Sequence, residues 1–509
     1  MSDEAASAIH DERERPLSRI EGTIVVFLTS AASLTVEIVA GRMLAPYVGM
    51  SLYTWTSVIA VVLAGLSLGH WIGGHAAERL AGRVRAFLVA TLIGAGAFTL
   101  AAIAVLPGVS EFLLTRFDTA VGGITALALS AFFLPSVAAG IPSPLIAAGL
   151  VEAQPERKGR ALGGLFAAGA VGSIAGTLAA GYLFISWLGS TKTLIVCAAI
   201  YGGLAIMIAL RARRRIAVIA AALVPCLGAA GYGLRASAHF CDVESRYFCI
   251  RSVDVTAQVG EPARLMVLDH LAHSMSVQDD PRRVIWPYVA FADVAGRAEK
   301  GERFDAFFIG GGAFSLPRAW ADRGISTTVA EIDPEVTRVA QRDFWFDPAG
   351  TRIIHRDARI ALAGEPAGAF DIVIGDAFTD VAVPPHLITA EFAGLVASRL
   401  KPDGLYLLHF VSPADRLEAL YAMKRTLATA FPSIDIWFDS DPIYADQRRS
   451  FVFVARKSGD THRYRGVGSW QLLDGAEIDR RIAKSDAPVL TDDYAPIDRL
   501  VGMARIGID

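Results

Sequence analysis

The sequence predicts two joined halves of different physical kind. The first is a multi-span α-helical membrane domain. The second is a doubly wound α/β domain of seven strands, led in by a β-hairpin region. Three observations carry this. Hydrophobic residues make up 53% and charged residues 19% of 509, and the mean hydropathy is +0.42, which few soluble chains approach. The apolar residues crowd into long runs before Arg235. From Phe304 onward, short apolar strands alternate with helical stretches, the pattern of a parallel sheet with flanking helices. These halves divide into a tail at 1–19, a helical domain at 20–235, a hairpin region at 236–300 and an α/β domain at 301–509.

Seven runs are long enough for a helix to cross about 30 Å of hydrocarbon. They lie at 20–44, 52–77, 86–107, 121–151, 161–188, 193–210 and 216–234. The fourth contains Pro135, Pro142 and Pro144, so it reads as a kinked span or a span plus a re-entrant piece. The fifth carries Gly163, Gly164, Gly169, Gly172 and Gly176, small residues that let helices approach closely. Packing is the expectation there, ahead of a substrate path. The first 19 residues are charged and the first run is too long for a signal peptide, so no cleavable leader is expected. Glu37 and His70 lie within spans, where ionisable groups face a partner or a cavity. They form either a polar site or a hydrogen bond that fixes helix packing.

Loop charges suggest an orientation. On the side of the N-terminus the loops hold Arg13, Arg15, Arg19, Arg79, Arg83, Arg85, Arg157, Lys158, Arg160 and the Arg211–Arg215 cluster. The opposite loops hold Arg42, Arg116 and Lys192. The positive-inside rule places the first set in the cytoplasm of a bacterial-type inner membrane. Seven spans would then leave the second half outside, and an eighth span, or a re-entrant fourth, would reverse that. Cys241 and Cys249 flank a short segment after the last span and form a disulfide if they are outside. Otherwise they are two buried thiols. Cys197 and Cys226 lie within spans and read as packing. The net charge of −3 gives no basic excess for nucleic acid.

In the second half, 244–278 reads as short strands with turns between. The seven strands of the sheet fall at 304–311, 326–333, 351–357, 370–376, 404–410, 433–439 and 449–457. Their carboxyl tips form an ordered set. Gly310-Gly311-Gly312 ends the first, and such glycines let a backbone turn tightly beside a ligand. Glu331 ends the second, placed to accept from ribose hydroxyls. Asp357-Ala358 ends the third. Asp376 ends the fourth, with Asp380 one helical turn on. All converge on the sheet edge where such folds bind ligands, and they predict a nucleoside site. Solvated turn carboxylates are the plainer alternative.

With these tips, Glu244-Ser245-Arg246-Tyr247 and Leu268-Asp269, residues 243–457 resemble the spermidine synthase family, of the class I S-adenosylmethionine-dependent, Rossmann-like methyltransferase fold. With its apolar half, the chain resembles membrane-fused spermidine synthase-like proteins. The resemblance implies that Gly310, Gly311 and Gly312 line the methionine and ribose of the donor. Glu331 would hold the ribose, Asp357 and Ala358 would face adenine, and Asp376 would take the amine's proton. Asp380 would bind a second ammonium. It implies decarboxylated S-adenosylmethionine or S-adenosylmethionine as co-substrate, with no metal expected.

Some positions depart from the family. Ala313 and Phe314 stand where an aspartate follows the glycines. His270 and His273 replace the turn glycine and a glutamine. Tyr288-Val289-Ala290 stands for Tyr-His-Glu. His273 and Tyr288 are substrate-binding candidates, as are Asp493 and Tyr494. The last two belong to Thr491-Asp492-Asp493-Tyr494, which reads equally as a site cover or a capped turn. The expected partners are a lipid bilayer and a small-molecule amine acceptor, with homodimer formation open. The expected activity is an aminopropyl or related alkyl transfer. The alternatives are a methyltransferase, a lyase, or a non-catalytic polyamine or nucleoside sensor or transporter.

Overall fold

A computed structural model describes residues 17–80, 83–117, 120–153, 155–211, 233, 241–377, 384–413, 416–440, 448–458 and 467–501. The chain divides into two compact units, Met1–Arg246 with Gly507–Asp509, and Tyr247–Ile506.

Up to Arg211 the described residues of the first unit are almost all helical, and a two-residue strand, Val243–Glu244, lies near its end. Helix α1 spans Arg19–Val48, α2 Leu52–Arg79, α3 Val84–Arg116, α4 Ala120–Gly140 and α5 Pro142–Ala153. Helix α6 spans Lys158–Ala179, followed by a π-helical turn, and α7 spans Ile185–Arg211. Ser18 and Glu21 form a reciprocal capping box that starts α1, satisfying amide groups left bare at a helix start. Among the described residues, five segments are long and apolar enough to cross a membrane, and the last is a 56-residue stretch, Pro155–Leu210. At 1.5 Å per residue that stretch would far exceed one bilayer. It breaks at Gly189, where φ is 76° and ψ is 172°, between the runs expected at 161–188 and 193–210. The run at 121–151 breaks between Gly140 and Pro142, where the proline cannot continue the hydrogen-bond ladder. The expected run at 216–234 lies outside the described residues, apart from the isolated residue Gly233.

Two seams hold this unit together. A methyl group added at Gly172 or Gly176 would collide with the carbonyls of Phe27 or Ala31, so α6 lies backbone to backbone on α1. Likewise Gly65, Gly69 and Gly73 of α2 abut Ser136, Val137 and Ile141 along α4 and its end. Thr35 donates to the Gly176 carbonyl at 3.1 Å across the first seam. Gly163, by contrast, faces open space. Glu37 is half-buried in α1, and His70 is exposed on α2.

The second unit opens with three antiparallel strands, β1 Cys249–Asp254, β2 Ala263–Leu268 and β3 Leu271–Val277. Strands β2 and β3 join through Asp269-His270, and Asp269 adopts φ 54°. Aspartate tolerates this left-handed conformation in tight hairpins. Its carboxylate accepts from the Cys249 amide at 2.9 Å.

The main sheet follows. Helix α8 is Pro287–Lys300. Then come β4 Asp305–Ile309, α9 Ser315–Asp322, β5 Ser326–Ala330, α10 Pro334–Asp343, β6 Thr351–Ile354, α11 Ala358–Ala363 and β7 Phe370–Gly375. Next are α12 Ala390–Arg399, β8 Leu400–Pro413, α13 Glu418–Leu427, β9 Ser433–Asp439, β10 Arg448–Arg456 and β11 Trp470–Leu472. The spatial order is β11-β9-β10-β8-β7-β4-β5-β6. Strands β4 to β8 pair in parallel, and β10 is antiparallel to both β8 and β9. The eighth strand, β11, has three residues, too few for alternation to reveal it in the sequence. One core face gathers Phe307, Val373, Phe392, Tyr406, Phe410 and Phe453. On the other, Trp320 is fully buried against Phe304 and Phe308. Its indole N–H donates to Asp293 at 2.8 Å.

Candidate active site

Strand order reverses between β4 and β7, which pair side by side yet are separated in sequence by two strands and three crossovers. At such a switch point the loops after the two strands diverge and leave a crevice. Gly310 and Asp376 follow these two strands directly. Their backbones are tied, since the Asp376 amide donates to Ile309 and the Gly310 amide to Ala330. Gly310 has φ 94°, and an added methyl would collide with the Asp376 carbonyl oxygen. Glycine is required there for both reasons.

The glycine turn is fastened to the neighbouring tip. The Gly311 amide donates to Glu331 at 2.8 Å, and the Asp333 amide donates to the other carboxylate oxygen at 2.9 Å. Glu331 is buried. Burial raises its pKa to about 7, against the lowering effect of those amides. Each oxygen retains a lone pair for a further donor. After the glycines, the Ala313 amide donates to Ser274 on β3 at 2.8 Å. Phe314, fully buried at φ 55°, stacks on Phe346 at 4.3 Å. The place of the family's aspartate is thus filled by apolar packing.

Asp357 caps α11 by accepting from the Ile360 amide, and its other oxygen meets His386 Nε2 at 2.8 Å. Ala358 beside it is buried.

Asp376 is held at both carboxylate oxygens. The Tyr288 hydroxyl donates to one oxygen, and His409 Nδ1 lies 3.0 Å from the other. His409 Nε2 lies 2.6 Å from the Ser450 hydroxyl. With Nδ1–H donating to Asp376, Nε2 accepts from Ser450, which fixes one neutral tautomer. The Tyr288 and His409 rings stack at 3.7 Å with planes 7° apart. His273 is adjacent, its carbonyl 3.3 Å from the Tyr288 hydroxyl. Burial lowers the His273 pKa to about 4, outweighing the nearby Asp376 carboxylate. Burial and the same carboxylate raise the Tyr288 phenol, so it stays a proton donor.

Thus Gly310, Gly311, Gly312, Glu331 and Asp376 are brought together, with His273 and Tyr288 beside Asp376. Asp380 lies outside the described residues. Asp493 and Tyr494 are exposed on a turn closed by reciprocal backbone bonds between Thr491 and Tyr494. The turn is moored by Asp492, which takes a two-point bond from Arg359 at 2.7 and 2.6 Å and another from Thr389 at 2.8 Å. Those bonds hold the Asp492 pKa down near 2. The turn therefore borders the Asp357–Ala358 tip, and no hydrogen bond joins it to Asp376 among the described residues. His409 and Ser450 were not anticipated from sequence. The available signal was one histidine in the apolar run Gly404-Leu405-Tyr406-Leu407-Leu408-His409, near the end of a strand. Among the described residues, no cluster of three or more His, Cys, Asp or Glu could hold a metal ion.

No protein-family model matches the chain. Over 193 residues it is 31% identical to a polyamine aminopropyltransferase of Vibrio vulnificus, covering 36% of this chain and 61% of the relative. The match thus spans about three fifths of that relative's length. Over 454 residues it is 26% identical to polyamine aminopropyltransferase 2 of Streptomyces coelicolor, covering 80% of this chain and 76% of that one. That coverage exceeds the second unit alone. Among solved structures, a probable spermidine synthase from Corynebacterium glutamicum aligns with a TM-score of 0.42 at 20% identity. It covers 48% of this chain and 92% of that chain. The second unit is a doubly wound, mostly parallel sheet with flanking helices, and these two curated relatives are named as aminopropyltransferases. The chain is thus similar to polyamine aminopropyltransferases.

Proposed function

We propose that the protein is a membrane-held transferase that moves an aminopropyl or related alkyl group from a sulfonium nucleoside to a small-molecule amine. One observation carries this: Asp376, clamped by Tyr288 and His409, sits at the strand tip beside Gly310, next to the Gly311 and Glu331 cradle. The donor is decarboxylated S-adenosylmethionine or S-adenosylmethionine. Its ribose hydroxyls donate to Glu331, and its adenine lies toward Asp357 and Ala358. The acceptor nitrogen attacks the carbon beside sulfur. A C–N bond forms, the C–S bond breaks with its electron pair going to sulfur, and the nitrogen's proton passes to Asp376. The sulfonium leaves as a neutral thioether, so the residues need only orient and deprotonate the amine. Neutral His273 adds no positive charge to repel a cationic acceptor. Asp380, and Asp493 with Tyr494, are candidates for the acceptor's outer end. The five apolar segments supply the bilayer attachment, by length and composition.

A methyltransferase reading is favoured by one feature, the apolar Ala313-Phe314 plug where the resemblance implies a carboxylate on the donor's amine. Product mass separates the two. The full chain in detergent is incubated with either donor and a panel of amines. Transfer of an aminopropyl group, lost in Asp376→Asn with nucleoside binding retained, is the expected outcome. A methylated product would replace this reading with the second. Asp376→Asn turning over at the wild-type rate would end both.

A further inference from the structure

The contacts inside the first unit assign its helix ends. Helices α1 and α6 run parallel, because Gly164 lies against Arg19, Gly172 against Phe27 and Gly176 against Ala31. Helices α2 and α4 also run parallel, with Gly65 against Ser136, Gly69 against Val137 and Gly73 against Ile141. Gly22, near the start of α1, meets Ile146 and Leu150 of α5. One end of the unit therefore gathers the start of α1, the end of α2, the end of α5 and the start of α6. The opposite end gathers the end of α1, the start of α2, the α3–α4 turn and the break at Gly189. Gly123 near Leu114 confirms the α3–α4 turn. From Ser190 the chain returns along α7, about 33 Å at 1.5 Å per residue, so Arg211 is back at the first end.

Residues 244–246 then anchor at the opposite end. The Ser190 amide donates to both oxygens of Glu244 at 3.0 Å, and the Ser190 hydroxyl adds a third bond. Arg246 donates to Ser186 at 3.2 Å, and Arg42 donates to the Ser245 carbonyl at 3.1 Å. A carboxylate over the first amide after the Gly189 break, where the helix restarts, is the arrangement that a helix start favours. Arg211 and Glu244 therefore lie at opposite ends, whatever path joins them. Beyond Tyr247, no undescribed stretch is half the length of a span.

Charge gives the two ends their sides. The first end carries Arg19, Arg79, Arg83, Arg85, Arg157, Lys158, Arg160 and Arg211, and the other carries Arg42, Arg116 and Lys192. An excess of Arg and Lys marks the cytoplasmic face. An independent observation agrees, since Cys241 and Cys249, on either side of this anchor, are both disulfide-bonded. Disulfides persist in oxidising compartments and are rare in the cytosol.

The geometry points to an extracytoplasmic catalytic half: the chain leaves its helical unit on the outer face, and the nucleoside crevice works there. This rests on reading the helices as membrane spans. It places a step before the reaction, because a fixed sulfonium charge does not enter hydrocarbon unaided. An export reaction, or a donor made outside, must supply the crevice.

The test uses the full chain in intact cells. Lys192→Cys and Glu156→Cys mark the two ends and are probed with a membrane-impermeant maleimide. A reporter active only outside is fused after Asp509. Lys192→Cys labelling, Glu156→Cys labelling only after permeabilisation, and an active reporter are expected. The denatured, unreduced wild-type chain should offer no free thiol at Cys241 or Cys249. Glu156→Cys labelling in intact cells, or a silent reporter on a stable chain, overturns the proposal. An alkaline carbonate wash separates the two failures. A chain that washes off membranes refutes the spans themselves, whereas one that stays but labels from the wrong end refutes only the sidedness.

Discussion

At the scale of single residues, the site is a study in two carboxylates with opposite surroundings. Asp376 is met by two proton donors, whereas Glu331 is buried among backbone amides. In isolation Glu331 would titrate near 4.5, and burial carries it to about 7. Its protonated form is therefore the one the fold favours. Between about 4.5 and 7 a rising pH ionises it in the unfolded chain while the folded protein keeps the proton, so stability falls. Glu331→Gln should raise the melting temperature above pH 7 and leave it unchanged near pH 4. Nucleoside affinity should move the other way, tightening as pH rises through about 7, because the ionised carboxylate is the better acceptor for ribose hydroxyls. Titration calorimetry across pH 5.5–8.5 checks both the sign and its loss in the variant. His409 is a positioning residue. His409→Ala should lower kcat about 10–100-fold with little change in nucleoside KM and a displaced pH profile, and His409→Gln should recover part of it by donating to Asp376. A parallel loss of nucleoside binding would mark His409 as merely structural. Asp376 and Glu331 were legible in the sequence because each ends a recognisable strand. Tyr288 was also named from sequence, but its clamp partners were not, since His409 and Ser450 come from two other strands and nothing local announces that the sheet order joins them to Asp376.

At the scale of elements, glycine does different work in the two units. Gly310 serves a turn, where φ 94° and the facing Asp376 carbonyl both exclude a side chain. Gly310→Ala should therefore cost nucleoside binding at least 10-fold, read by calorimetry, while the circular dichroism of the sheet persists. Along α1–α6 and α2–α4, glycine serves close helix approach. Gly69→Val and Gly172→Val should destabilise the helical unit by about 1–3 kcal/mol through overpacking. Gly163→Ala should be neutral or slightly stabilising, since its site is open and alanine favours helix. Thermal unfolding in detergent distinguishes the pair. Composition alone showed that small residues were concentrated here. It could not separate Gly163 from Gly172, because only the facing helix decides which glycine is in contact. The breaks at Gly140–Pro142 and Gly189 follow the same logic. Proline made the first legible, while the second depends on a positive φ that many glycines in the run could have adopted.

At the scale of the whole molecule, two units of comparable size carry separate cores. Heating in detergent should give two transitions, with the nucleoside raising only the later-unfolding or earlier-unfolding one that belongs to Tyr247–Ile506. At 100 times its dissociation constant, the ligand adds about 2.7 kcal/mol to that unit. Calorimetry with and without S-adenosylmethionine checks this, and a single transition shifted as a whole would contradict it. The division into an apolar half and an α/β half was the plainest message of the sequence, because hydropathy averages over many residues. The three-residue edge strand and the anchoring of Glu244 depend on a few contacts, and averaging hides them. The glycine seams have a last consequence, for permeation. Where a methyl group cannot fit between two backbones, neither can a water molecule. Any aqueous conduit through the helical half must therefore skirt the α1–α6 and α2–α4 seams, and a search for solute traffic should begin at the faces of α3 and α7.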